Sequence, residues 1–242
     1  MILAAGLGTR LRPLTNNLPK PLLPLEEKPL IEYTLRLLRK YGLTDVIINL
    51  HYQGDKIVGT LGDGSRWGMK IRYSEEPQIL GTGGGIKRMA RFLSDEPFLV
   101  INSDILVEIQ LDRLVEYHQR EKGAATLVLR EDPEVESWGA VGIDSNHRIR
   151  QFLGKPDWTG EALAKRMFAG IHVMDPRVFS YIPDQGFSTI IDAYIEMLQQ
   201  GERLLGHEFG DYWMDIGTPE RYHKAQEDLK GKKVRLSYIK EG

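Results

Sequence analysis

The chain of 242 residues contains no cysteine, and 32 lysines and arginines against 34 aspartates and glutamates give a formal net charge of −2. Without cysteine it can form no disulfide, thiolate metal site or cysteine nucleophile, and this composition favours a reducing cytoplasm as its location. Domains that bind nucleic acid are usually basic, so no nucleic-acid partner is expected. No apolar run approaches the roughly 20 residues that cross a membrane, so no membrane partner is expected either.

Short β-branched apolar runs alternate with helical patterns along the chain. Strands are predicted over residues 1–5, 46–49, 70–73, 98–102, 124–129, 140–143 and 169–174. Helices are predicted over 30–41, 112–121 and 189–199, where apolar residues recur at the spacing of one helical face. Gly42 and Gly201 follow two of these helices as stop signals. The alternation predicts an α/β fold with a largely parallel sheet between helices.

The domain organisation is predicted to be simple. The sequence has no internal repeat and no low-complexity linker, and its most polar stretch, residues 154–165, is short enough for a loop. We therefore expect a single domain over residues 1–229. Residues 230–242, which begin with a basic cluster, are expected to form a mobile C-terminal tail.

A glycine-rich loop follows the first predicted strand. Gly6 and Gly8 lack a Cβ, so backbone N–H groups around them can converge on an anion. Arg10 and Arg12 add fixed positive charge suited to phosphate, and Lys20 follows shortly after. These features together predict a phosphate-binding loop, although the two glycines alone could simply turn the chain.

The spacing of this loop excludes two familiar phosphate-binding motifs. The pattern G-x-x-x-x-G-K-[ST] of a P-loop occurs nowhere in the chain. A dinucleotide-binding fingerprint needs a third glycine where Leu11 stands.

Two acidic residues are candidate ligands for a metal ion. Asp104 follows the predicted strand 98–102, and ligands in open α/β sheets bind outside the carboxyl ends of strands. Asp215 lies between aromatic residues and the helix start Gly217-Thr218-Pro219. Two carboxylates with phosphate oxygens and waters form a shell suited to Mg²⁺. Alternatively, Asp104 could cap a helix or turn, and Asp215 could pair with a nearby arginine.

A second glycine-rich segment, residues 80–86, is predicted to open a helix after an extended stretch. Its glycines would let a flat nucleobase lie against the backbone, where N–H and C=O groups read its edge. A tight turn from strand to helix is the alternative explanation.

These motifs resemble those of the sugar-1-phosphate nucleotidyltransferases, whose signature is G-x-G-x-R-x-x-P-x-T followed by Lys-Pro. The matching residues are Gly6, Gly8, Arg10, Pro13, Thr15, Lys20 and Pro21. The resemblance implies a single-domain Rossmann-like fold, with a mixed, mostly parallel sheet flanked by helices, known as the nucleotide-diphospho-sugar transferase fold. It also implies transfer of a nucleotidyl group from a nucleoside triphosphate (NTP) to a sugar 1-phosphate, with release of pyrophosphate.

The resemblance also implies roles for individual residues. Arg10 and Lys20 are the implied catalytic residues, acting on the departing pyrophosphate and the α-phosphate. The implied nucleotide-binding residues are Leu3, Ala5, Gly6, Gly8, Thr9, Gly81, Thr82 and Gly83. The implied sugar-phosphate-binding residues are Gly139, Lys155 and Gly170, and the implied Mg²⁺ ligands are Asp104 and Asp215.

The sequence leaves the substrates open. The segment Leu-Gly-Thr-Gly-Gly at 80–84 resembles guanylyltransferases of mannose or heptose phosphates and favours GTP. Residues 61–68 resemble N-acetylmuramate 1-phosphate uridylyltransferases, which use UTP. Gly154 stands where the family usually has Glu, and Phe168 where many members have Asn, so the sugar is undecided. A non-catalytic nucleotide-sugar-binding regulatory module is the alternative of another class, and a homo-oligomer is left open.

Overall fold

The structure is a computed structural model that describes residues 1–239. Its strands are β1 (Ile2–Leu3), β2 (Pro24–Leu25), β3 (Lys28–Pro29), β4 (Asp45–Leu50), β5 (Lys70–Glu75), β6 (Phe98–Asn102), β7 (Ile105–Val107), β8 (Ala125–Arg130), β9 (Val141–Ile143), β10 (Ile149–Phe152), β11 (Ala164–Met174), β12 (Leu204–Glu208) and β13 (Trp213–Asp215). Its α-helices are α1 (Leu30–Lys40), α2 (Gly54–Leu61), α3 (Gly81–Arg88), α4 (Ala90–Leu93), α5 (Leu111–Glu121), α6 (Val135–Trp138), α7 (Ile190–Gln199) and α8 (Pro219–Lys230). Short 3₁₀ helices span Thr9–Leu11, Lys20–Leu22, Ser65–Trp67 and Pro176–Tyr181.

The described chain forms two compact units. The first unit combines residues 1–79, residues 101–111 and the segment from 211 onward, and the second combines residues 80–100 and 112–210. The predicted domain boundary at residue 229 stays a prediction.

Parallel strands form the sheet of the first unit. β1 pairs in parallel with β4 on one side and with the end of β6 on the other, and β4 pairs in parallel with β5. Ile2, Ile48 and Ile101 lie in register and are fully buried, as expected for a parallel sheet covered on both faces. Because these strands run in one direction, their carboxyl ends lie along one edge of the sheet.

A two-stranded antiparallel sheet completes the first unit. Asp215 of β13 lies in register with Ile105 of β7. α8 begins at Pro219, four residues after Asp215, and Thr218 is its N-cap. The short connection holds the end of β13 close to the first turn of α8.

The C-terminal segment of the first unit packs against β7. The Tyr238 hydroxyl donates to the Val107 carbonyl at 2.8 Å, and the Leu236 and Tyr238 side chains are buried. These contacts hold residues 236–239 against β7, and the expected mobile tail over residues 230–242 as a whole stays a prediction. Residues 240–242 lie outside the described residues.

Antiparallel pairing dominates the second unit. The long strand β11 pairs antiparallel with β8 and β9, β10 pairs antiparallel with β9, and β12 joins β8 in parallel. Thr189 caps α7 through a reciprocal capping box with Asp192. The predicted loop over 154–165 ends slightly early, because β11 already begins at Ala164.

All seven predicted strands and all three predicted helices are present, with ends shifted by at most a few residues except at β11. Within residues 1–239, no helix combines the length and the apolar character needed to cross a membrane.

Candidate active site

The two glycines of the first glycine-rich loop differ in their surroundings: Gly8 packs against the protein, and Gly6 faces open space. Gly8 has φ +62°, where other residues are strained, and its carbonyl accepts a 2.8 Å hydrogen bond from the Thr15 hydroxyl. A Cβ on Gly8 would lie 3.1 Å from the Thr15 Cγ2. In contrast, a Cβ on the exposed Gly6 would meet nothing within 4 Å. Backbone conformation and the contact with Thr15 thus explain why glycine stands at position 8, whereas Gly6 leaves space for a ligand.

The cationic side chains of Lys20 and Arg10 differ in their contacts and exposure. Lys20 Nζ lies 2.5 Å from Asp104 Oδ2, and its side chain is mostly buried. Arg10 is exposed on the 3₁₀ helix, and no described residue accepts a hydrogen bond from its guanidinium. Arg10 Nη2 would nevertheless lie 3.1 Å from a Cβ placed on Gly217, which is two residues from Asp215. Arg10 is therefore close to the second acid and available to an anion.

Backbone pairing brings the two predicted acids together. Asp104 lies in the turn between β6 and β7, and Asp215 ends the neighbouring strand β13. Ile216 N–H donates to the Asp104 carbonyl at 2.8 Å, which joins the two segments directly beside both acids. The four residues Arg10, Lys20, Asp104 and Asp215 thus form one cluster within the first unit.

The electrostatics of this cluster disfavour the ionised form of Asp215. Burial, followed by the charge of Asp104, raises the pKa of Asp215, and the positive charges of Lys20, Arg10 and Arg221 oppose this shift. Arg221 Nη1 lies 3.3 Å from Asp215 Oδ1, so the arginine partner foreseen as an alternative is also present. Two negative charges held this close attract a further cation.

The carboxylate pair fits a hard divalent cation. Asp104 Oδ1 is buried and has no hydrogen-bond partner, while Oδ2 is bound by Lys20. Residues 1–239 contain no group of three or more His, Cys, Asp or Glu that could hold a metal. A pair of carboxylates is nevertheless what Mg²⁺ uses when substrate phosphates and waters supply its remaining ligands.

The second glycine-rich segment starts α3 at Gly81, as predicted, and packs against residues of its own unit. Gly81 has φ +72°, and a Cβ there would lie 2.4 Å from the Ser188 carbonyl oxygen. A Cβ on Gly84 would lie 2.8 Å from the Gly186 carbonyl oxygen. Close approach of residues 186–188 therefore explains these glycines without any ligand.

Hydrogen bonds reinforce this packing. The N–H groups of Gly83 and Gly84 donate to the Ser188 carbonyl at 2.9 and 3.3 Å, and Thr82 Oγ1 accepts from Ile190 N–H at 2.9 Å. The N–H of Gly83 is thus already used by the protein. Nucleotide binding by Gly81, Thr82 and Gly83 stays a prediction, and the alternative of a tight structural turn is realised in the structure.

Two of the predicted sugar-phosphate residues lie next to each other in the second unit. Leu153 and Gly154, with φ of +53° and +76°, form the tip of a two-residue turn closed by paired backbone hydrogen bonds between Phe152 and Lys155. A Cβ on Gly139 would lie 2.8 Å from Leu153 Cδ2, so Gly139 adjoins the turn that presents the exposed Lys155.

Gly154 bears on the identity of the sugar, and Gly170 is the third predicted sugar-phosphate residue. Gly154 lines a cavity of about 450 Å³, and a Cβ there would meet nothing within 4 Å. The Glu usual in the family is therefore replaced by open space. Gly170 has φ +76° and is buried where the β8–β11 register is irregular, which explains this glycine by backbone conformation.

Three polar residues of the first unit were missed at the level of sequence. Asn49 Oδ1 accepts from Ala4 N–H at 2.8 Å, and Asn49 Nδ2 donates to Glu76 Oε1 at 2.8 Å. This buried bridge ties the end of β1 to the ends of β4 and β5. Arg221, the partner of Asp215, is the third. Polar residues at the carboxyl ends of neighbouring strands were a usable signal for the first two.

The family is decided by comparison with known proteins. The model of the family described as "Nucleotidyl transferase" matches residues 1–232. The chain belongs to this nucleotidyl transferase family. The resemblance seen in the glycine loop is thereby confirmed.

Relatives and solved structures agree with this membership. The chain is 34% identical to a UTP–glucose-1-phosphate uridylyltransferase of Synechocystis sp. over 97% of its length, and 33% identical to a mannose-1-phosphate guanylyltransferase of Mycobacterium tuberculosis over 95%. It spans 64% of the length of each relative.

Two solved structures support the fold. HddC from Yersinia pseudotuberculosis, complexed with GMP-PN, superposes with a TM-score of 0.76 at 25% identity, covering 94% of this chain and 97% of HddC. UDP-glucose pyrophosphorylase complexed with UDP-glucose gives 0.79 at 22% identity, covering 96% and 97%. The predicted fold, a mixed, mostly parallel sheet flanked by helices, is confirmed.

Proposed function

We propose that this nucleotidyl transferase moves a nucleotidyl group from an NTP to a sugar 1-phosphate, forming a nucleotide-sugar and pyrophosphate. The clustering of Arg10, Lys20, Asp104 and Asp215 in one unit carries this proposal, since it combines cations for phosphates with acids for a metal ion. The names of the relatives, a uridylyltransferase and a guanylyltransferase of sugar 1-phosphates, support it.

The reaction asks the protein for positioning and charge neutralisation rather than for a base. An anionic oxygen of the sugar phosphate attacks the α-phosphorus in line, a new P–O bond forms, and the bond to the β-phosphate breaks with release of pyrophosphate. The attacking phosphate is already ionised near pH 7, so no proton has to be removed. Preorganised positive charge is then the main source of rate enhancement.

Each cation has a place in this scheme. Arg10, whose guanidinium bonds to no described residue, stabilises the charge that grows on the departing pyrophosphate. Lys20, held by Asp104, stabilises the α-phosphate. Lys155, exposed beside its two-residue turn, holds the incoming sugar phosphate.

Asp104 and Asp215 would hold Mg²⁺. Asp104 offers a buried oxygen without a hydrogen bond, and a cation would relieve the repulsion that raises the pKa of Asp215. When bound there, Mg²⁺ supplies positive charge that lessens the repulsion between the two anionic substrates.

GTP with a mannose- or heptose-type sugar 1-phosphate is the favoured substrate pair, because the segment at 80–84 resembles that of guanylyltransferases. UTP with N-acetylmuramate 1-phosphate is the alternative, and the space left by Gly154 is compatible with a larger sugar. A cytoplasmic location and a homo-oligomer stay predictions.

The test is a matrix of five NTPs against the 1-phosphates of mannose, glucose, heptose and N-acetylmuramate, read out as pyrophosphate release with Mg²⁺. We expect the highest kcat/KM with GTP and mannose or heptose 1-phosphate. Asp104→Asn should abolish this release, whereas the exposed control Asp45→Asn should leave it unchanged. Tight nucleotide-sugar binding without pyrophosphate release for any pair would instead indicate a non-catalytic regulatory module.

A further inference from the structure

A small cavity between α1 and the 3₁₀ helix Ser65–Trp67 carries an unusual charge. It has a volume of about 150 Å³ and is lined by Glu32, Leu35, Arg36, Arg39, Arg66 and Trp67. Three guanidiniums and one carboxylate leave this arginine pocket with a net excess of two positive charges. None of its residues belongs to the candidate active site.

Neighbouring side chains hold two of these arginines in place. Arg36 Nε and Nη2 donate to Glu32 Oε1 at 2.8 and 2.7 Å, and the Glu32 side chain is itself buried. The Arg66 guanidinium carbon lies 4.4 Å from the ring centroid of the buried Trp67, a cation–π contact. Because both side chains already make these contacts, less conformational freedom would be lost when a ligand binds.

The guanidinium donors of Arg39 and Arg66, unlike those of Arg36, are not used by the protein. Within residues 1–239, no carboxylate or carbonyl accepts a hydrogen bond from the guanidiniums of Arg39 and Arg66. Each guanidinium has five N–H donors in a fork that matches the oxygens of a phosphate group. Arg39 also packs closely along the backbone, since a Cβ on Gly68 would lie 3.1 Å from its Cζ.

We propose that the arginine pocket is a second anion site, which binds a phosphate or diphosphate group. Its charge excess and open forks suit a dianion, and its volume has room for several waters at roughly 30 Å³ each, which is the scale of a phosphate group. The walls formed by Leu35 and Trp67 partly shield the bound anion from water, which strengthens its attraction to the arginines. This site is independent of the proposed catalytic role of Arg10 and Lys20.

The experiment is a calorimetric titration with inorganic phosphate, pyrophosphate and glucose 1-phosphate. All proteins carry Arg10→Ala, so that binding at the candidate active site is weakened. We expect this background to bind at least one of the three anions. Adding Arg39→Gln and Arg66→Gln should weaken that binding at least tenfold. The ligand bound most tightly identifies whether the phosphate comes from a free ion, a diphosphate or a sugar phosphate.

Two further variants separate specific binding from general charge. Lys230→Gln with Lys232→Gln removes the same number of positive charges at the end of α8 and should leave the affinity unchanged. Arg39→Lys with Arg66→Lys keeps the charge without the fork and should give intermediate affinity. Equal binding with and without Arg39→Gln and Arg66→Gln, or an equal loss in the lysine control, would overturn the proposal. Unchanged melting temperatures of these surface variants show that the fold is intact.

Discussion

Asn49 should hold the end of β1 in place, and exchanging its amide for a carboxylate tests this directly. In Asn49→Asp, the Nδ2 group that donates to Glu76 at 2.8 Å becomes an oxygen. Two carboxyl groups would then face each other at hydrogen-bond distance, in a position where both native side chains are only about 3% exposed. The bond from Ala4 N–H to Oδ1 can persist, so the perturbation is confined to the contact with Glu76.

The magnitude follows from two competing costs. Two full charges 2.8 Å apart repel by about 6 kcal/mol at an effective dielectric constant of roughly 20. Keeping one carboxyl protonated at pH 7 costs about 4 kcal/mol, at roughly 1.4 kcal/mol for each pH unit above an ordinary pKa of about 4.3. The smaller cost prevails, so the variant pair should keep one proton and lose about 4 kcal/mol of unfolding free energy at pH 7. At pH 5 the loss should be only about 1 kcal/mol.

The sign of the pH dependence distinguishes this explanation from simple loss of packing. The shared proton gives the variant pair a raised pKa in the folded state, so stability is lost as the pH rises above about 4. Urea unfolding at pH 5 and pH 7 measures the difference. In the double variant Asn49→Asp with Glu76→Gln, an amide again donates to a carboxylate, and most of the stability should return.

An activity measurement adds a positioning readout. We expect the KM for the NTP to rise in Asn49→Asp and to recover in the double variant, because β1 leads into the glycine loop. A stability loss that is the same at pH 5 and pH 7, or a double variant no better than the single one, would refute the reasoning.

Three further predictions concern other residues. Arg10→Ala should lower kcat for pyrophosphate release by about 10²- to 10³-fold with an unchanged melting temperature, and wild-type turnover would contradict its role. Asp215→Asn should raise the melting temperature at pH 7 while lowering turnover. Because the pKa of Asp215 is raised in the folded protein, this gain should vanish below about pH 4, and a variant less stable at pH 7 would contradict it. Gly84→Ala should destabilise by about 1–3 kcal/mol in urea unfolding, since its Cβ would meet the Gly186 carbonyl. The control Gly59→Ala, in open helical space, should instead be neutral or stabilise by up to about 1 kcal/mol, and equal effects would rule out this explanation.

Helices and strands could be predicted where apolar residues recur at a regular spacing, or form a short run, within the element itself. The strand over 98–102 agrees with β6, and the helix over 30–41 matches α1 within one residue. β7 and β13 were missed although β9, which is equally short, was predicted. What makes them strands is their pairing with each other across more than 100 residues, which local sequence does not reveal.

Site residues could be predicted where the residues of a motif contact each other within a short stretch of sequence. Gly8 and Thr15 are seven residues apart and bond to each other, so the motif and the local structure coincide. Hydrogen-bond partners that are distant in sequence and meet only in the folded sheet were not predictable in this way. Asn49 meets Ala4 and Glu76 only because their strands are neighbours in the sheet. The glycines at 81–84 suggested a backbone surface open to a nucleobase, but the segment that fills the space beside them lies about 100 residues further along the chain.

The first unit is drawn from three separate stretches of the chain, and this arrangement orders events during synthesis. The loop with Arg10 and Lys20 leaves the ribosome early, whereas Asp215 and Arg221 follow about 200 residues later. At translation rates of roughly 5–20 residues per second, that interval lasts about 10 to 40 s. Throughout it the nascent loop has neither β13 nor α8 beside it, so the pocket for two anions can be assembled only after residues 215–221 have been made.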